Sequence, residues 1–163
     1  MQKILIPSLL TACLAAGMVG CGLDPSVPAS ASSQAAQAPQ EAISQVGDVS
    51  IRASVVPTAV IGEAVARQYG IERSEGSLLM LVGVRQGDDS QEQSLPATIT
   101  ATATDLRGVA QAVEMREIRN GELLDYVGVV QVSPPETLRF DLDIVREGGA
   151  SSSMQFTRDF FPR

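Results

Sequence analysis

Ala97-Thr98-Ile99-Thr100-Ala101-Thr102-Ala103-Thr104 sets an apolar residue at every odd position and a threonine at every even one. Strand side chains point alternately to opposite faces, so this stretch carries one apolar face and one hydroxyl face. The period of two recurs on both sides of it. Val49, Ile51, Ala53 and Val55 alternate with Asp48, Ser50, Arg52 and Ser54, and Leu124, Tyr126, Gly128, Val130 and Val132 share a face. Further on, Leu138, Phe140, Leu142 and Ile144 alternate with Arg139, Asp141 and Asp143, and Met154, Phe156 and Phe160 turn inward. Ser77 to Arg85 is apolar on both faces, as a central strand covered on both sides would be.

Turn signals punctuate these runs at Gly87-Asp88-Asp89-Ser90, Asp105-Leu106-Arg107-Gly108, Ser133-Pro134-Pro135-Glu136 and Gly148-Gly149. A strand from Ala110 to Ile118 ends at Asn120-Gly121, a strong hairpin signal because both residues tolerate positive φ. About seven strands with turns at this spacing predict an all-β fold, an immunoglobulin-like antiparallel two-sheet sandwich. A small β-barrel is the alternative, since it buries the same alternating faces. One short helix follows the first strand within Thr58 to Ile71, stopped by Gly70 and then apolar Ile71.

Upstream of the strands the chain reads as an address. Lys3 precedes an apolar run from Ile4 to Val19, and Met18-Val19-Gly20-Cys21 has the form of a lipoprotein processing site. The run, at about 16 residues and interrupted by Pro7 and Gly17, is shorter than a spanning helix needs. Residues 1–20 are expected to be a signal peptide cut between Gly20 and Cys21, with acyl chains on Cys21 anchoring the chain to a membrane. Residues 21–46 read as a flexible Ala/Ser/Pro/Gln tether and residues 47–163 as the domain. Gly22 in place of an aspartate leans the expected location to the outer membrane, facing the periplasm.

Composition narrows the chemistry. The 163 residues carry 12 basic and 19 acidic side chains, and Lys3 is the sole lysine. Arginines are scattered with no basic stripe, which argues against a nucleic-acid partner. Cys13 lies in the segment to be removed and Cys21 is the acylation site, leaving no structural disulfide, so a hydrophobic core must hold the domain. There is no histidine, so the commonest general base and transition-metal ligand is missing. No metal site, cofactor or catalytic residue is predicted.

The segment Thr58 to Ser74 is the candidate interaction surface, with Glu63, Val65, Arg67, Tyr69 and Arg73 as its residues. Its helix serves either to cap an open sheet edge or to wall a binding groove. Asp141 and Asp143 on one strand face are read as solvated side chains, and Gly87-Asp88-Asp89-Ser90 as a polar turn without the ligand spacing of a calcium loop. This inventory points to a non-enzymatic interaction module with an envelope protein as partner. Alternatives are a carboxylate-based hydrolase acting on an envelope polymer and a domain binding a hard metal ion.

A resemblance joins these readings. Val55-Val56-Pro57-Thr58, Val65-Ala66-Arg67-Gln68-Tyr69-Gly70-Ile71, Glu136-Thr137-Leu138-Arg139-Phe140-Asp141 and Phe160-Phe161-Pro162 resemble the domain of unknown function family DUF4426 over Gly47 to Arg163. The resemblance implies a small secreted or envelope protein of Gram-negative bacteria and supplies no catalytic residues. Ile61-Gly62-Glu63 stands where Ser-Pro-Glu is expected, which predicts a helix start without a side-chain cap.

Overall fold

The computed structural model describes residues 40–88 and 91–162. The proposed cleavage and lipid sites at Gly20 and Cys21, and most of the expected tether, lie outside the described residues. Among the described residues ten strands form two antiparallel sheets. The first sheet runs in the order β1 (Ala42–Val46), β2 (Val49–Pro57), β3 (Ser77–Gln86), β8 (Leu123–Gln131), β7 (Arg116–Asn120), with β4 (Gln93–Ser94) paired to the end of β3. The second runs β10 (Ser151–Phe160), β9 (Glu136–Arg146), β5 (Ala97–Asp105), β6 (Ala110–Val113). The sheets face one another as a sandwich, and among the described residues neither closes into a barrel.

The core is what the alternation predicts. Ile51, Met80, Val82, Val84, Val130, Phe140, Leu142 and Ile144 are fully buried between the sheets. Phe140 stacks on Phe156 at 5.1 Å and meets Phe160 edge-on at 6.4 Å. Tyr126 crosses the gap: its hydroxyl accepts the Ala97 N–H at 2.6 Å, so the one polar atom of an inward-facing ring ties β8 to the start of β5.

Three expectations are corrected. First, the ordered domain does not start at Gly47: Ala42–Val46 pair with β2 from Ala42↔Ala53 to Val46↔Val49. Gly47, at φ 64°, and Asp48 form the turn of that hairpin. Second, Ala110 to Ile118 is not one strand. The chain leaves the second sheet after Val113, crosses at Glu114-Met115 and enters the first as β7. Gly128 permits this, because a β-carbon there would lie 2.5 Å from Val113 Cγ1 and 2.8 Å from Met115 Sδ. With β1, β4 and this division, the strand count exceeds the predicted seven. Third, the β7–β8 turn is Gly121-Glu122, since Asn120 pairs with Leu123. Gly121, at φ 63°, takes the left-handed position.

The helix, α1 (Glu63–Gln68), follows β2, after a 3₁₀ turn at Thr58–Val60. Gly62 precedes it without a side-chain cap, as the missing serine predicts. Its end is a Schellman motif: the Ile71 N–H donates to Ala66 O at 2.8 Å and the Gly70 N–H to Arg67 O at 3.2 Å, with Gly70 at φ 61°.

Candidate functional site

Helix α1 lies on the outer face of the first sheet. Ala66 and Ile71 pack on Leu79 of β3 and Val127 of β8, with Val56, Ile61, Tyr69 and Ile118 around them. This explains why β3 is apolar on both faces. Of the five residues expected to form an interaction surface, Glu63, Val65, Arg67 and Arg73 are exposed, and Glu63 pairs loosely with Arg67 at 3.9 Å. Tyr69 is half-buried, its carbonyl accepting a hydrogen bond from Arg116 of β7. Arg73 is a strut, donating to Ala59 O at 2.7 Å. Beneath this segment Thr58 is a buried hub: its Oγ1 accepts the Ser74 N–H at 2.8 Å, lies 2.7 Å from Ser77 Oγ and donates to Ser74 O at 3.1 Å.

A second feature escaped the sequence reading. At one end of the sandwich the β5–β6 turn, the β8–β9 loop and the end of β10 enclose a cleft of about 420 Å³, lined by Asp105, Leu106, Arg107, Pro135, Glu136, Asp159 and Phe161, among others. Its size falls within the range of ligand sites. Phe160 forms the buried wall, while Leu106 and Phe161 stand 82% and 72% exposed at the rim. Large apolar side chains held in water around a concavity mark an interaction site more than a lone exposed leucine does.

The carboxylates of the cleft are in structural use. Asp105 Oδ1 accepts the Val109 and Arg107 N–H groups at 2.8 and 2.9 Å, and Oδ2 accepts Arg107 Nη2 at 2.7 Å. The Val109 N–H foremost holds the Asp105 carboxyl below the usual carboxylate range, with Arg107 adding to it, against burial, an opposing effect second only to the Val109 hydrogen bond. Glu136 Oε2 accepts the Ser133 N–H at 2.8 Å, and Asp159 Oδ1 accepts the Thr137 hydroxyl at 2.7 Å.

Asp141 and Asp143 sit on the outer face of the second sheet. Hydrogen bonds from Gln155 and then Arg139 hold the Asp141 carboxyl below its ordinary pKa. Asp141 is thus kept ionised, which suits a solvated face and disfavours proton donation. Among the described residues no three His, Cys, Asp or Glu side chains gather to hold a metal ion. Asp89 and Ser90 of the expected polar turn lie outside the described residues.

The family model for a domain of unknown function, DUF4426, matches residues 43–163. Among solved structures, a DUF4426 family protein from Pseudomonas aeruginosa is 22% identical with a TM-score of 0.65, covering 76% of this chain and 96% of that one. FetP of uropathogenic Escherichia coli, expressed recombinantly in the periplasm, is 9% identical with a TM-score of 0.56, covering 76% and 95%. A copper-bound glutamate-to-glutamine variant of FetP is 10% identical with a TM-score of 0.50, covering 75% and 94%. At these identities the likeness is one of fold. No curated protein matches the chain.

Proposed function

Because this chain belongs to the DUF4426 family, whose domain has no assigned activity, we propose that it is a non-enzymatic interaction module of the cell envelope. In this reading lipid on Cys21 anchors it to the outer membrane, and the domain faces the periplasm and engages an envelope protein. The observation that carries the proposal is the end cleft, with an exposed apolar rim at Leu106 and Phe161 and carboxylates committed to structural hydrogen bonds. The lipoprotein-type sequence Met18-Val19-Gly20-Cys21 supports the anchor.

Two other classes remain as readings to be tested against it. A carboxylate-based hydrolase would use Glu136 and Asp159, the cleft carboxylates that are not in the Arg107–Asp105 ion pair. Loss of an envelope-polymer cleaving activity in Glu136→Gln or Asp159→Asn would establish it. A metal role is suggested by the copper-bound FetP variant, a fold neighbour. This chain has no histidine to offer copper, and titrations with copper and calcium that give neither heat nor a thermal shift would remove that class.

Photoreactive residues placed at Leu106 and Phe161, at Val65 and Arg67, and at Thr100 test the proposal in cells. A partner trapped only from the cleft positions supports it, a partner trapped only from α1 moves the site to the helix face, and no adduct anywhere refutes it. Cys21→Ser should release the protein to the soluble periplasmic fraction, and full membrane retention would refute the anchor.

A further inference from the structure

We infer that the end cleft takes up a cationic side chain, arginine or lysine, carried on the partner polypeptide; this rests on the interaction reading above and specifies its partner.

The charge of the lining comes first. Among the described lining residues, Asp105, Glu136 and Asp159 share one cation, Arg107, which pairs with Asp105 at 2.7 Å and also feels the charge of Glu136. Three carboxylates against one cation leave this lining with an excess of two negative charges. Glu136 and Asp159 each have one oxygen anchored, Oε2 by the Ser133 N–H and Oδ1 by the Thr137 hydroxyl, so the carboxylates are held in place in advance of any ligand. Among the described residues their second oxygens, Glu136 Oε1 and Asp159 Oδ2, carry no hydrogen bond from the protein.

The apolar parts select among cations. Leu106, Pro135 and the exposed Phe161 ring line the same cleft. An aliphatic stem lies against such a wall while its charged head meets carboxylates. A cation over the Phe161 face gains a further electrostatic attraction. An anion would meet that excess of negative charge, and a purely apolar ligand would strip water from the carboxylates without replacing its hydrogen bonds. A cleft of about 420 Å³ exceeds one side chain, leaving room for flanking residues of a peptide rather than a free amine alone.

Amide NMR of the full-length chain, titrated with capped Leu-Arg-Leu tripeptide and its Lys, Gln and Glu counterparts, tests the inference. The Arg and Lys peptides should saturate shifts at Leu106, Glu136, Thr137 and Phe161 with at least tenfold higher affinity than the Gln peptide, and the Glu peptide should not bind. The double variant Glu136→Gln with Asp159→Asn keeps acceptors for Ser133 and Thr137, so it should retain the folded spectrum and lose at least tenfold in affinity for the Arg peptide. Phe161→Ala should lose affinity, and Val65→Ser should not. Equal binding of the Arg and Gln peptides, unchanged affinity in the double variant, or shifts centred on Glu63 to Tyr69 would overturn the inference. If the cationic peptides fail while crosslinking from Leu106 still traps a partner, the cation is wrong and the interaction reading stands.

Discussion

Replacing Thr58 by valine should unfold the domain more easily by about 2 to 4 kcal/mol. The side chain is fully buried, and valine matches its shape, so no cavity contributes and the cost is polar. A hydroxyl has one proton and two lone pairs. One assignment satisfies every contact: Thr58 Oγ1 accepts the Ser74 N–H and the Ser77 O–H and donates to Ser74 O. Valine removes all of these and leaves the Ser74 N–H and the buried Ser77 hydroxyl without their partner. A stranded donor of this kind costs about 1 to 3 kcal/mol, and two of them, with relaxation, give the range stated. Thr58→Ser restores the hydrogen bonds and should cost only the missing methyl group, about 1 kcal/mol. Urea unfolding of the three proteins reads this as a fall in midpoint at constant slope. Amide exchange at Ser74 should accelerate in the valine variant alone. A valine variant within about 0.5 kcal/mol of the parent would refute the hub, because surface-like tolerance is incompatible with a satisfied buried network.

Gly128→Ala should destabilise by about 1 to 3 kcal/mol through overpacking, since its methyl would lie 2.5 Å from Val113 Cγ1; adding Val113→Ala should recover part of the loss in the same urea assay. Gln111 donates to Gln131 O at 2.8 Å and accepts the Gln131 N–H at 3.1 Å, so Gln111→Leu should lower the thermal midpoint modestly, by about 0.5 to 1.5 kcal/mol of stability. Asp105 has a folded pKa below its ordinary 3.8, so its stabilising share is present above that ordinary value and fades as pH falls through the lower folded one. Acid titration of Asp105→Asn should therefore show a deficit against the parent at neutral pH that shrinks below about pH 4, and a deficit unchanged with pH would contradict the pairing.

Most of the sandwich was legible in the sequence because its strands have one wet and one dry face. Val49 to Val55, Ala97 to Thr104 and Leu138 to Ile144 carry that contrast in every residue, and all are strands in the structure. The Gly70-Ile71 stop of α1 was legible for a different reason, a positive φ that glycine adopts without penalty. The misses have physical causes. β1 is an edge strand with Ile43 and Val46 largely in solvent, so it lacks the contrast on which the reading depends. The break at Glu114-Met115 is recorded in Gly128, a neighbour in space and not in sequence. The cleft was illegible because three separate segments build it, each unremarkable alone. A trace was present in Phe160-Phe161: alternation can turn only one of two adjacent rings inward, which obliges the other to stand outside.

The crossing at Glu114-Met115 also decides where the sandwich can give way. Covalent chain passes between the sheets after β4, after β6 and after β8, so the β6–β7 flank is sewn shut by polypeptide. Along the opposite flank, where β1 and β10 lie side by side, no segment among the described residues makes that passage. Among the contacts that span it is that of Arg158, whose guanidinium rests 5.0 Å from the Phe156 ring centre and reaches Gln40 O at 3.1 Å. The domain is therefore a clasp, hinged by polypeptide along one side and latched by noncovalent contacts alone along the other.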